Sequence, residues 1–114
     1  MVMTTTYTKP EPARTEIDSL KGSAVVEFGT PWCGYCMAAQ APIAQAMDAH
    51  ADVRHIKVED GKGQPLGRSF RVKLWPTLVF LRDGREVARL VRPADAESIS
   101  RALAELATAK ADSA

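Results

Sequence analysis

The sequence predicts an α/β domain, with a central mixed sheet of four to five strands and helices on both of its faces. Short β-branched apolar runs alternate along the chain with segments of helical composition, which is the pattern of strands covered by helices. The last two apolar runs are joined by Asp83-Gly84, a dipeptide that favours a tight hairpin turn. We therefore expect a parallel sheet centre with one antiparallel strand at its edge.

Length and composition indicate one ordinary globular domain spanning residues 1–114. Apolar residues make up 46% of the chain and charged residues 25%, both near the averages for soluble proteins. The net charge of +1 argues against a nucleic-acid binder and against a highly charged disordered chain. Charged residues interrupt the N-terminal segment, and no apolar run approaches the roughly 20 residues that span a bilayer. We expect a cytosolic monomer that binds neither nucleic acid nor membranes.

The first half of the chain is predicted to contain a helix, a strand and a longer helix. Residues 1–13 are rich in Thr and Pro and are expected to be loose or to form a short edge strand at residues 5–8. Residues 14–20 have helical composition, and residues 24–28 form a short β-branched run typical of a buried strand. Residues 33–50 are rich in Ala and Met and predict an amphipathic helix.

Spacing and a proline define the expected shape of that longer helix. Apolar residues recur at intervals of three and four, which predicts the buried face: Met37, Ala41, Ala44 and Met47. Pro42 removes one intrahelical hydrogen bond and is expected to kink the helix.

The second half is predicted to form a strand, a short helix, a hairpin and a final helix. Val53, Ile56 and Val58 predict a strand, residues 77–81 are a near-continuous apolar run that favours another, and residues 86–91 alternate as a strand does. Residues 60–63 contain two glycines and predict a turn, and residues 65–70 can form a short helix.

The final helix is predicted from a cap and an apolar stripe. Asp95 is a favourable N-cap, and Ile99, Leu103 and Leu106 fall on one helical face. Residues 107–114 are expected to fray.

Both cysteines of the chain, Cys33 and Cys36, lie where a predicted strand ends and the long helix begins. The positive end of the helix dipole and its unpaired N–H groups favour a thiolate there. Two intervening residues on a helical turn bring the sulfurs close enough to bridge, so Cys33 is the expected nucleophile and Cys36 the resolving thiol. Gly34 would let a partner chain approach the backbone closely.

Two other interpretations of the cysteines remain open. Cys33, Cys36, His50 and His55 have the spacing C-x2-C-x13-H-x4-H, close to that of a Cys2His2 zinc site. The ordered strand and helix pattern after His55 and the lack of basic excess fit a zinc finger poorly. Alternatively, the dithiol could sense redox state and control the affinity for a partner, with little reductase turnover.

Over roughly residues 15–110 the sequence resembles the thioredoxin family. The landmarks of that family occur in order: Glu27, Trp32-Cys33-Gly34-Tyr35-Cys36, Trp75-Pro76-Thr77 and Asp83-Gly84. They correspond to a buried acid, the W-C-G-P-C active site except at Tyr35, the segment with a cis proline facing the cysteines, and the hairpin turn. A dithiol at a strand–helix junction with an acid before it and W-P-T after it is a specific combination.

The resemblance implies the thioredoxin fold and a protein-disulfide oxidoreductase that uses its own dithiol, with no cofactor and no metal. Its partners would be protein disulfide substrates and a separate electron-donating reductase. The implied catalytic residues are Cys33, Cys36 and Glu27. The implied substrate-binding residues are Trp32, Gly34, Tyr35, Trp75, Pro76, Thr77 and Pro93.

The acid and its surroundings are expected to serve proton transfer. Glu27 lies in an otherwise apolar strand, where burial should raise its pKa and suit it to accept a proton from Cys36. His55 is expected in solvent, with contact to Glu27 as the alternative. The basic residues of the hairpin are expected to form a solvated edge that prevents aggregation: Arg82, Arg85, Arg89 and Arg92.

Three residues depart from the family pattern. Tyr35 stands where proline is usual and adds a backbone N–H near Cys33. Because a stabilised thiolate favours the reduced form, we expect a reduction potential of about −200 to −250 mV, against about −270 mV for thioredoxin. Trp75 is bulkier than usual, and Pro93 stands where glycine is common, which predicts altered partner choice.

Overall fold

A computed structural model describes residues 5–109 of the chain. Its elements follow in the order α1 (Arg14–Asp18), β1 (Ser23–Gly29), α2 (Gly34–Asp48), β2 (Arg54–Glu59), α3 (Pro65–Ser69), β3 (Thr77–Arg82), β4 (Arg85–Val91) and α4 (Ala96–Thr108). In this part of the chain four strands form one mixed sheet in the order β2-β1-β3-β4. The predicted α/β class and mixed sheet are confirmed.

The direction of β3 differs from the prediction. β1 and β2 are parallel, but β3 is antiparallel to β1, and β4 is antiparallel to β3; the expected parallel centre is therefore wrong. The fifteen residues of α2 span about 22 Å, enough to return the chain to the start of β1. The five residues of α3 span only about 8 Å, so β3 begins at the sheet edge where β2 ends.

This reversal sets the position of the functional residues. Phe28, near the end of β1, pairs with Thr77, the first residue of β3. The loop after β1 and the segment before β3 consequently lie at the same edge of the sheet. A parallel β3 of six residues would have separated them by about 20 Å.

The two faces of the sheet are covered by different helices. On one face α2 and α4 pack over β1 and β3, with a core of Val25, Ile43, Met47, Leu78, Phe80, Ile99, Leu103 and Leu106. On the other face α1 and α3 pack on a second core of Ile17, Val26, Phe28, Ile56, Val58, Leu66, Phe70, Val79 and Leu81. Burial on both faces explains why β1 and β3 are almost continuously apolar.

The buried face of α2 differs from the prediction. Its buried residues are Cys36, Ala39, Ile43, Ala46 and Met47. Met37 is 60% exposed, Ala41 is exposed and Ala44 is half-buried. Alanine and methionine occur on both faces of this helix, so their spacing could not show which face is buried. The buried face is the one that carries Ile43. The helix runs through Pro42 without a break.

The start of the described chain forms no strand. Residues 5–8 make no ladder with β2, but the Thr8 amide donates to the Lys57 carbonyl over 2.8 Å. This single bond holds the segment against the outer strand.

The end of the chain largely follows the prediction. Asp95 caps α4 by accepting from the Ser98 amide over 2.9 Å, and Ile99, Leu103 and Leu106 are buried on one face. The helix extends to Thr108, so the fraying expected from residue 107 is wrong at that point; residues 110–114 lie outside the described residues. No helix in the described part of the chain is long and apolar enough to cross a membrane.

We predict that Ile43→Ala lowers the free energy of unfolding by about 2–4 kcal/mol, because it removes buried methyl groups and leaves a cavity under α2. Met37→Ala, on the exposed face of the same helix, should change it by less than about 0.5 kcal/mol. Urea unfolding followed by circular dichroism measures both. Equal losses in the two variants would contradict the observed phase of the helix.

Candidate active site

Cys33 lies at the N-terminus of α2. It is the N-cap residue of the helix, half-buried, and its sulfur accepts a hydrogen bond from the Cys36 amide over 3.1 Å. The bond satisfies one of the backbone N–H groups that a helix start leaves without a partner. A thiolate on Cys33 would receive the same bond in charge-assisted form. The predicted placement of Cys33 at the N-terminus of the helix is confirmed.

Cys36 is one helical turn further in and is buried against Gly29. A Cβ on Gly29 would lie 2.6 Å from the Cys36 sulfur, which is closer than atoms pack, so only glycine admits the thiol at this place. Burial, and then the neighbouring Cys33 thiol, raise the pKa of Cys36 to about 12. Cys36 consequently remains protonated at neutral pH, whereas Cys33 faces the surface.

The segment before β3 lies beside Cys33. The Trp75–Pro76 peptide bond is cis, and the Cys33 thiol donates to the Trp75 carbonyl over 3.8 Å. Thr77 is buried, and its hydroxyl donates to the Leu74 carbonyl over 2.6 Å. The Trp75 indole N–H donates to Asp60 over 2.8 Å. This bond fixes the half-buried ring against Asp60, while the backbone carbonyl of Trp75 lies next to the Cys33 thiol.

An exposed surface surrounds the Cys33 sulfur. Trp32 is 69% exposed and Tyr35 60% exposed, so neither packs the loop. No atom lies within 4 Å of the place a Cβ would take on Gly34. Another chain can therefore approach the backbone at this position.

Arg92, which precedes Pro93, is the residue that binds to this surface. The Arg92 amide donates to the Pro76 carbonyl over 2.8 Å, its Nε donates to the Trp75 carbonyl over 2.9 Å, and its guanidinium lies 3.9 Å from the centre of the Tyr35 ring. Arg92 is exposed, as a solvated basic edge requires, but the expectation is wrong in one respect, because its Nε binds the protein instead of solvent.

Two other arginines of the hairpin also bind the protein. Arg82 donates to the Ser23 hydroxyl. Arg89 binds Glu86 and the Phe70 carbonyl. The expected solvated edge is wrong for these two residues as well, because each has protein acceptors within reach.

Glu27 is at the centre of a buried charged network beneath α2. Its carboxylate accepts from His55 Nε2 and from Gln40 Nε2, each over 2.9 Å, and lies 3.6 Å from the Lys57 ammonium. His55 is buried, so the expectation that it lies in solvent is wrong. Glu27 pairs with Lys57 across the parallel strands, and side chains two apart share a face; this register places His55 and Lys57 beside Glu27.

The pKa of Glu27 shifts in the direction opposite to the prediction. Burial raises it, but the hydrogen bond from His55, the charge of Lys57 and the bond from Gln40 together outweigh burial and hold the pKa below its usual value. The glutamate is therefore ionised at neutral pH. The prediction rested on burial, with contact to His55 only as an alternative, and Lys57 and Gln40 become neighbours of Glu27 only on folding.

Gln40 connects this network to the resolving cysteine. Its amide nitrogen donates both to Glu27 and to the Cys36 carbonyl, the latter over 2.8 Å, while its oxygen accepts from Lys57 over 2.8 Å. Every polar atom of this side chain is thus used. The residue went unnoticed in the sequence because glutamine in a helix is common and has no characteristic spacing.

Tyr7 covers the outer side of the network. The Lys57 ammonium lies 5.0 Å from the centre of its ring, and its hydroxyl lies near Gly29 and the Cys36 sulfur. Burial, and then the negative charges of Cys36 and Glu27, raise the pKa of Tyr7. A shallow pocket lined by Tyr7, Pro31, Met37 and Gln40 leads from solvent to Cys36.

The proposed zinc ligands are not assembled. Among residues 5–109, no group of three or more His, Cys, Asp or Glu side chains is placed to hold a metal ion. His55, one of the four candidates, is bonded to Glu27. The Cys2His2 interpretation therefore does not describe this site.

Comparisons with known proteins agree with this geometry. The family model for thioredoxin matches residues 4–105. The structure is similar to that of reduced thioredoxin 2 from Pseudomonas aeruginosa, with a TM-score of 0.80 and 57% identity over 88% of this chain and 93% of that one.

Two curated relatives are similar over shorter segments. Thioredoxin-2 of Pyricularia oryzae is 30% identical over 65% of this chain and 44% of its own length. A thioredoxin of Aspergillus fumigatus is 29% identical over 61% of this chain and 65% of its own length. The chain thus spans less than two thirds of each of these relatives.

We predict that Glu27 makes the free energy of unfolding decrease as the pH falls into the acid range. Because folding lowers its pKa from about 4.5, its contribution is complete above pH 4.5 and is lost as the pH falls through the lower folded value. Urea unfolding between pH 7 and pH 3 should show a shallower acid loss in Glu27→Gln than in the wild type. The variant should also be less stable at pH 7, by roughly 3 kcal/mol, because His55 and Lys57 lose their anionic partner.

Glu97→Gln is the matched control, since Glu97 is exposed and pairs with the exposed Arg101 on the surface of α4. It should reproduce the acid dependence of the wild type. If Glu27→Gln loses stability in acid as steeply as the wild type does, the lowered pKa of Glu27 is contradicted.

Proposed function

The chain belongs to the thioredoxin family, and from this premise we propose that it is a thiol–disulfide oxidoreductase acting on protein disulfides. The observation that supports this most directly is the contrast between the two thiols. Cys33 is accessible and hydrogen-bonded at a helix N-terminus, whereas Cys36 is buried and protonated one turn away. Such a pair separates the roles of nucleophile and resolving group.

The first step is attack by the Cys33 thiolate on one sulfur of a partner disulfide. A new bond forms between that sulfur and Cys33, the partner disulfide breaks, and the second partner sulfur leaves as a thiolate that takes a proton. In the second step Cys36 loses its proton and attacks the Cys33 sulfur. This closes the Cys33–Cys36 disulfide and releases the first partner sulfur, so two electrons have passed from the chain to its partner.

Glu27 is proposed as the proton acceptor of the second step. It is ionised in the resting protein, which is the state that can accept a proton, and it is linked through Gln40 to the backbone carbonyl of Cys36. Its negative charge also helps to keep Cys36 protonated until the mixed disulfide has formed. Because its pKa is lowered, Glu27 is a weaker base than a carboxyl tuned near neutral pH, and its effect on the rate should be correspondingly modest.

The partner is proposed to lie across the exposed surface beside Cys33. Trp32 and Tyr35 supply apolar area, and Gly34 leaves room for the backbone of another chain. The carbonyl of Trp75, the residue that precedes Pro76 and Thr77, lies 3.8 Å from the same sulfur. A separate reductase would return the dithiol to its reduced form.

We also propose a reducing compartment, the cytosol, because a dithiol that serves as reductant must itself be kept reduced. Fractionation of the source cells would test this location.

We predict that the protein reduces insulin disulfides in the presence of dithiothreitol, and that Cys33→Ser abolishes this activity. Cys36→Ser should also lose turnover, and with insulin in the absence of dithiothreitol it should accumulate a covalent mixed disulfide, because the first step survives and the second does not. Non-reducing electrophoresis and intact-mass spectrometry detect the adduct. Wild-type turnover no faster than dithiothreitol alone, or full turnover by Cys36→Ser, would contradict the proposal.

We predict a reduction potential for the dithiol of about −200 to −250 mV, measured by equilibration in glutathione buffers with mass spectrometry. The Tyr35 N–H belongs to the first turn of α2, where backbone amides lack helical partners, so it remains available to a thiolate on Cys33. Tyr35→Pro removes this N–H and should lower the potential by about 30 mV, a tenfold change in the exchange equilibrium.

Tyr35→Ala is the matched control, because it removes the ring and retains the N–H. Its potential should stay close to the wild-type value. Equal potentials for Tyr35→Pro and the wild type would refute the role of the amide, whereas equal shifts in both variants would assign the effect to the ring.

A further inference from the structure

Arg92 has an unusual backbone and a fixed position at the active site. It directly follows β4 with a φ of 51°, in the left-handed region that residues other than glycine rarely adopt. Its amide donates to the Pro76 carbonyl. The left-handed turn therefore directs the chain after β4 toward the segment that borders Cys33.

The guanidinium of Arg92 is held on two sides. Its Nε donates to the Trp75 carbonyl over 2.9 Å, and its plane lies over the Tyr35 ring at 3.9 Å, a cation–π contact. The Trp75 carbonyl also accepts from the Cys33 thiol. Because Cys33 and Arg92 contact the same oxygen atom, the fixed positive charge lies beside the reactive sulfur.

Most hydrogen-bond donors of this guanidinium remain unused by the protein. An arginine carries five N–H groups in a planar fork. Within the guanidinium, only Nε donates to an acceptor among the described residues, and the side chain is exposed. Two terminal nitrogens with four N–H groups are consequently available next to Cys33, in the geometry that binds a carboxylate through two parallel bonds.

We propose that Arg92 recognises a carboxylate next to the disulfide of the partner, so that this chain prefers protein disulfides flanked by acidic residues. The inference rests on the proposed oxidoreductase function and adds the substrate class. Since Tyr35 and Trp75 already hold the guanidinium, little side-chain entropy is lost when it binds. Charge complementarity of this kind acts mainly on selectivity and on the rate of association.

The test compares two disulfide-bridged peptides that are identical except for the residues beside the cysteine, which are Glu in one and Gln in the other. The ratio of their kcat/KM values is the readout, measured in about 50 mM salt. In the wild type the acidic peptide should react roughly three- to tenfold faster. In Arg92→Gly the ratio should fall to about one.

Arg71→Gly is the matched control. Arg71 also has a left-handed backbone, with a φ of 59°, and is exposed, so its replacement removes the same charge and relieves the same backbone conformation. It contacts neither Tyr35 nor the Trp75 carbonyl. Its ratio should equal that of the wild type, which separates a contact at the site from a change in net charge.

The neutral peptide distinguishes this inference from the function on which it rests. If Arg92 acted only through the reactivity of Cys33, both peptides would slow equally and the ratio would not change, which would overturn the proposal. A wild-type ratio near one, or a ratio retained in Arg92→Gly, would overturn it too. If neither peptide is reduced faster than by dithiothreitol alone, the oxidoreductase function itself fails.

Salt provides an independent measurement on the unchanged protein. Raising the salt from about 50 mM to 500 mM shortens the range of electrostatic attraction several-fold. The preference of the wild type for the acidic peptide should shrink by at least half. A preference that does not respond to salt would contradict recognition by charge.

Discussion

The antiparallel pairing of β1 with β3 brings the site together. It places the loop after β1 and the segment before β3 at one edge of the sheet, so that Cys33 meets the Trp75 carbonyl. The hairpin then returns β4 to the same edge, where Arg92 reaches that carbonyl. Three segments distant in sequence thus converge through strand direction alone. Backbone hydrogen bonds between strands fix the convergence more rigidly than any contact within the loops.

Charged side chains are buried in the core beneath Cys33. Glu27 is fully buried with two basic neighbours and one amide, an arrangement that is expensive to desolvate and stable only when every group is satisfied. The same groups that stabilise the carboxylate lower its basicity. The network therefore stabilises the carboxylate at the expense of its basicity, and Cys36, next to it, is protonated at neutral pH.

Local sequence signals predicted nearly all of the elements, because β-branched runs, a cap at Asp95 and the Asp83-Gly84 turn act over a few residues. Both cysteines and their helix N-terminus could also be located in this way. The direction of β3, the phase of α2 and the partners of Glu27 could not, because each depends on which segments become neighbours on folding. The contacts of Arg92 could not be predicted for the same reason: it follows the edge strand and is exposed, but Trp75 and Tyr35 become its neighbours only on folding.

The full use of the hydrogen-bonding groups of Gln40 constrains how this sequence can diverge. It joins Glu27, Lys57 and the helix backbone, so that its replacement removes three hydrogen bonds at once. A single substitution leaves a buried charge or amide without its hydrogen-bond partner, so substitutions should accumulate slowly in this network. Descendants of this protein are expected to exchange Glu27, Gln40, His55 and Lys57 together or to retain all four. Transplanting the dithiol loop into another scaffold would require moving these residues with it.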